Sequence, residues 1–175
     1  MCGILSGWRR DGAFSEDHVA CALSLMKNRG PDDKGYRAFD LSESNTLILG
    51  HTRLSILDLS DAGHQPMSTP DDRYSIVYNG EIYNYKELRD ELVVFGYHFS
   101  SDSDTEVLLV AWQHWGEKCL NRLEGMFSLV VFDRELNVLS CARDAFGIKP
   151  FLFLHDNTGF YCASDINALA ELSQY

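Results

Sequence analysis

Apolar and polar positions alternate along this chain in two distinct rhythms. Ile4–Trp8 is a short apolar run that reads as a strand. After Ser15, a helix start with Glu16 and Asp17 behind it, apolar residues recur at Val19, Ala22, Leu23 and Met26, and Lys27, Arg29 and Gly30 form its end. RGPDDKG at 29–35 reads as a turn-rich loop. Residues 46–57 and 74–78 are rich in β-branched and apolar side chains and predict strands, with DAGHQPMSTPDD as loop between them. NYKELRDELVVFG, 84–96, predicts an amphipathic helix with Leu88, Leu92 and Phe95 on one face. DTEVLLVAWQHWG, 104–116, predicts a second, more apolar one. Four short strands follow at 127–132, 138–142, 151–155 and 160–163, and a last helix begins near Ser164 or Asp165.

Strands joined by tight turns imply antiparallel sheets. Helices with wide apolar faces imply layers covering those sheets. No linker, repeat or low-complexity segment interrupts the pattern, so residues 1–175 read as a single domain with no synthetase domain behind it. The length suits one core. Hydrophobic residues at 45% and charged residues at 23% describe a globular chain.

Charge narrows the partners. The formal net charge is −11, with no run of Lys or Arg, which argues against nucleic acid and anionic membranes. No stretch is apolar enough to span a bilayer, and Trp8, Arg9, Arg10 and Asp11 break any signal-peptide pattern. The five cysteines are odd in number and widely spaced, and the six histidines show no ligand spacing. The expectation is a reducing, cytoplasmic setting without disulfides or metal. Cys21, Cys141 and Cys162 are expected to be buried small hydrophobes.

Candidate chemistry begins at the second residue. Once Met1 is removed, Cys2 carries a thiol and a free α-amine, a nucleophile with its own base. Three other polar sites interrupt apolar strands, and each has a bland explanation when taken singly. Arg53 reads as a solvated strand end. Asn79-Gly80 behind YSIVY is a strong hairpin-turn signal. Asp104 suits a helix N-cap.

Together they are similar to something specific. GHTRLSI (50–56), YNGEIYN (78–84), RGPDD (29–33), SDTE (103–106), EGMFS (124–128) and RDAFGIKPF (143–151), in that family's order behind Cys2, resemble the class II glutamine amidotransferase domain. The nearest branch is the glutaminase domain of glutamine-hydrolysing asparagine synthetases. The chain departs from the family pattern at Ser6, where glycine is usual, at Asn28, where histidine is common, and at Asp165, where glutamate is usual.

The resemblance implies an α+β fold, a four-layer αββα sandwich of the N-terminal-nucleophile hydrolase type. It implies hydrolysis of L-glutamine through a Cys2 thioester, with Asn79 and the Gly80 N–H as oxyanion donors. Arg53, Leu54, Ser55, Ile56, Glu81 and Asp104 would bind the amino-acid end of glutamine. It implies no cofactor here. ATP and Mg²⁺ would belong to a synthetase domain or subunit, marked in the family by a phosphate loop that these residues lack, and a homodimer is one assembly open to the full-length protein. The rival readings are a non-catalytic docking or regulatory domain, and a glutaminase feeding a different acceptor. Joint retention of Cys2, Arg53, Asn79, Gly80 and Asp104 argues against the first. Leu169 and Leu172 are expected at the edge of an exposed apolar partner surface.

Overall fold

The computed structural model of the chain describes residues 1–42, 44–56 and 60–174. Its elements run β1 (Gly3–Arg9), α1 (Glu16–Leu25), β2 (Asp33–Asp40), β3 (Thr46–Arg53), β4 (Met67–Ser68), β5 (Tyr74–Ile82), α2 (Tyr85–Val94), α3 (Asp104–Trp115), β6 (Gly125–Asp133), β7 (Val138–Arg143), β8 (Leu152–His155), β9 (Gly159–Ala163) and α4 (Ile166–Ser173). Short 3₁₀ turns occupy Asp61–Gly63 and Gly116–Arg122. Five strands form one sheet in the order β2-β3-β1-β9-β8, and four form a second in the order β4-β5-β6-β7. The paired strands are antiparallel throughout.

The layering follows from strand alternation. Ile4, Leu47, Leu49, Val77, Val130, Phe132 and Cys162 meet in the cluster between the sheets. Their immediate neighbours Leu5, Ile48, Tyr161 and Ala163 point the other way and pack with α1 and α4. Ile76, Tyr78, Leu129 and Val131 likewise turn outward, beneath α2 and α3. Both sheets are therefore apolar on two faces, which is why helices must cover them. The result is the expected αββα sandwich. No described helix is long and apolar enough to cross a membrane.

Several expectations are corrected. The loop at 29–35 ends at Asp32, because Asp33–Asp40 is a strand paired along its whole length with β3. Strand 46–57 stops at Arg53, and Leu57 lies outside the described residues. The 61–72 loop contains the two-residue strand β4. Helix 84–96 ends at Val94; Phe95 follows it, more than half exposed and stacked on His114. Cys21 and Cys141 are exposed, whereas Cys119 and Cys162 are buried. Cys21 falls on the solvent side of α1, and Cys141 on the edge strand β7. Leu169 and Leu172 are buried between α4 and its sheet, so they form no partner surface.

The segment from β7 to β8 links the two sheets, and Asp144 organises it. Its carboxylate accepts the backbone N–H groups of Phe127 (3.2 Å), Phe146 (3.1 Å), Ile148 (2.9 Å) and Lys149 (3.1 Å). Burial pushes this carboxyl up, but the four donors outweigh it and hold it below the usual carboxylate range. Its stabilisation is therefore present above the ordinary unfolded value and is lost as pH falls through the folded one. Asp144→Ala strands all four donors and is expected to lower stability by about 2–3 kcal/mol, measured by urea unfolding.

Candidate active site

Cys2 lies just ahead of β1, where the loops at 29–32 and 54–55 hold it. Its Sγ stands 3.3 Å from the Leu54 N–H, which donates to it, and 3.7 Å from the Leu54 carbonyl. Arg29 Nε donates to the Cys2 carbonyl at 3.2 Å. Asp32 ties the same loop to the next one, donating its N–H to the Arg53 carbonyl (3.0 Å) and accepting the Ser55 N–H (2.8 Å). Gly30 sits against the Thr52–Arg53 backbone, where no Cβ would fit. The RGPDD stretch is thus a clamp that fixes Cys2 beside the 53–55 backbone. Burial pushes the Cys2 thiol up, while the Leu54 N–H, the terminal ammonium and Arg53 pull the other way.

A cavity of about 230 Å³ opens at Cys2. Arg53, Leu54, Ile56, Asn79, Gly80, Glu81 and Asp104 all line it, as does Met1. Ser55 does not; its part is the hydrogen bond to Asp32.

Arg53 is not a solvated strand end. It is 8% exposed, its Nη1 donates to the Ser60 carbonyl at 2.8 Å, and its guanidinium occupies the space a Gly63 side chain would need. Nor do Asn79 and Gly80 form a hairpin turn. They lie within β5, paired with Ser128 and Phe127, and neither has the positive φ that such a turn requires. Gly80 is needed because a Cβ would come within 2.5 Å of the Met126 carbonyl. Asn79 is 1% exposed, and its Nδ2 has no hydrogen-bond partner among the described residues. A buried donor left open in a cavity is costly unless a ligand completes it.

Asp104 is the first residue of α3, not its cap. Ser103 caps the helix by accepting the Glu106 N–H at 3.2 Å. This frees the Asp104 carboxylate, which accepts from the Tyr78 hydroxyl (2.7 Å) and the Ile82 N–H (3.1 Å). Burial pushes its carboxyl up, and the two donors offset part of that rise. Gln65 locks the same corner, accepting the Tyr78 N–H at 2.7 Å and donating to Thr105 Oγ1 at 3.3 Å. His51 joins the sheets, with Nε2 3.1 Å from the Tyr78 carbonyl. Burial pushes its pKa down to about 3, so it is a neutral strut.

Sequence reasoning did not single out Gln65, Tyr78, Thr105, Met126 or Lys149 as cavity residues. Tyr78, Met126 and Lys149 fall inside YNGEIYN, EGMFS and RDAFGIKPF, so the motifs carried a signal without a role. Thr105 likewise falls inside SDTE, and only Gln65 lies outside the motifs, held there by contacts with distant elements. Among the described residues no cluster of His, Cys, Asp and Glu could hold a metal ion.

The model of the glutamine amidotransferase domain matches residues 1–175. Asparagine synthetase [glutamine-hydrolyzing] 1 of Bacillus subtilis is 39% identical over 173 residues, covering 97% of this chain and 26% of that protein. Asparagine synthetase [glutamine-hydrolyzing] 3 of the same organism is 36% identical over 174 residues, covering 97% and 27%. The chain therefore spans about a quarter of the length of these relatives. Among solved structures, glutamine phosphoribosylpyrophosphate amidotransferase from B. subtilis superposes with a TM-score of 0.81 at 19% identity, over 98% of this chain and 44% of that one. That likeness concerns the fold, and it agrees with the four layers described above. Sequence, fold and cavity lead to one assignment: the chain belongs to the glutamine amidotransferase domain family.

Proposed function

We propose that this domain hydrolyses L-glutamine to L-glutamate and ammonia through a γ-glutamyl thioester on Cys2. The observation that carries the reading is the open Asn79 amide, a buried, unpartnered donor in the cavity that holds the Cys2 thiol. With Met1 removed, the α-amine of Cys2, with an ordinary pKa of about 7.7–8.0, is the base at hand for a thiol that burial holds above its ordinary value. It accepts the thiol proton and returns one to the departing ammonia. Asn79 Nδ2 and the Gly80 N–H receive the oxyanion. The Arg53 guanidinium receives the α-carboxylate, and Asp104 with Glu81 the α-ammonium. Leu54 and Ile56 shape the wall, and Ser55 holds the loop to Asp32.

The relatives' names and greater length support an asparagine-synthetase-type partner, a domain or subunit outside these residues that would use ATP and Mg²⁺ to amidate aspartate. Phe146, 91% exposed, with the exposed Ile148 two residues on and the exposed Phe153 on β8, replaces Leu169 and Leu172 as the candidate docking edge.

The test is glutamate release from glutamine without ATP, Mg²⁺ or aspartate, on protein of known intact mass. Activity is expected to follow the fraction lacking Met1, since with Met1 present the nitrogen of Cys2 is an amide. Glutamine affinity should fall much less than turnover when Met1 is retained. Normal turnover by protein that keeps Met1 would remove the α-amine as the base.

A further inference from the structure

Lys149 has no part in the chemistry described so far, yet it lines the cavity and is only 5% exposed. Its backbone is built in: the N–H donates to the Asp144 carboxylate at 3.1 Å, and the carbonyl accepts from Arg143 Nε at 2.6 Å. Its ammonium makes no hydrogen bond or ion pair with any described residue. A cation that lines a cavity and has no protein partner is available to pair with an anionic group that the cavity holds.

Strand order locates it. Arg53 is on β3 and Asp104 opens α3, so the amino-acid end of the cavity lies toward β3. Cys2, ahead of β1, and Asn79 and Gly80, on β5, come next. Met126 on β6 and Lys149 in the β7–β8 link lie past them, on the β9 side of β1. Glu81 bears on the Asp104 and Tyr78 side. A glutamine held by its α-groups at Arg53 and Asp104 would present its δ-carbon to Cys2, with Lys149 on the far side of the same cavity.

We propose that Lys149 is the charge-compensating residue of the reacting end, supporting the oxyanion at the δ-carbon and then the γ-carboxylate of bound glutamate. This rests on the glutaminase reading. In the first half-reaction the Sγ–C bond forms, the C–N bond breaks, and ammonia leaves with the thiol proton. In the second, water adds, the Sγ–C bond breaks and the thiol is protonated again. The γ-carboxyl then loses its proton to water, leaving a negative charge that the amide lacked. A fixed cation there favours both the transition state and the product over neutral substrate.

The experiment compares binding of L-glutamate and L-norvaline by calorimetry to Met1-free wild type, K149M, K149Q and K149R. The ligands share their α-groups, and only glutamate carries a γ-carboxylate. K149M and K149Q are expected to weaken glutamate about tenfold and norvaline less than about twofold, and K149R to restore most of the difference. For glutamine, kcat should fall by a similar factor with KM nearly unchanged. Norvaline binding also reports that each variant is folded. Equal weakening of both ligands, or unchanged glutamate binding in K149M and K149Q, overturns the inference and leaves the glutaminase reading standing. A wild-type protein that binds neither amino acid overturns both.

Discussion

Replacing Cys2 with alanine is expected to reduce glutamine hydrolysis to background while leaving the fold intact. Among the described residues no other thiol lines the cavity, so no other sulfur there can form the thioester. Stability should barely change. Cys2 belongs to none of the three hydrophobic clusters, and its sulfur contacts only the Leu54 backbone by hydrogen bonding. Truncating one small, half-buried side chain outside the hydrophobic clusters should shift stability by less than about 1 kcal/mol. Glutamate release and a urea unfolding curve on the same preparation separate the two effects. Wild-type turnover by the alanine variant would end the thioester mechanism, and loss of the unfolding transition would mean that Cys2 is a structural residue.

Opposite kinetic signatures are expected for Asn79→Ala and Arg53→Ala. The Asn79 amide is needed most when the carbonyl oxygen becomes charged. Its removal should cut kcat about 10²–10³-fold, the usual effect of losing an oxyanion donor, with little change in KM. The α-carboxylate met by Arg53 is charged in ground and transition states alike. Losing two charge-assisted bonds to it should raise KM about 10²-fold and leave kcat closer to wild type. Arg53→Ala also frees the space beside Gly63 and removes the bond to the Ser60 carbonyl. Arg53→Lys, which keeps the charge without the planar fork, checks that the KM effect is recognition and not collapse of the loop. An unchanged KM in Arg53→Ala would return this side chain to a purely structural part.

Much of this was legible in one dimension because it depends on local periodicity. Alternation along β1, β3, β5, β6 and β9 sets which residues face the other sheet and which face a helix, and the apolar run of α3 requires burial. A cysteine behind the initiator methionine is also a one-dimensional fact, and the six motifs then pointed to the family. Other features depend on partners far along the chain. β2 is polar and carries Gly35, and it is a strand because β3 supplies its hydrogen bonds. Asn79-Gly80 carries the local signal of a turn, yet β6 pairs straight through it, and long-range pairing outweighs turn propensity. Arg53 is polar by composition and buried by the packing of Gly63. Cys21 and Cys141 look apolar in sequence but fall on a solvated helix face and a sheet edge. Lys149 joins the cavity only because a link between two sheets, fastened by Asp144, carries it there. The sequence by itself determined the strands, the helices that cover them and the family, and it singled out Cys2 as the candidate nucleophile. Only the tertiary structure decided which polar groups share one cavity, because that depends on where separate strands and loops meet.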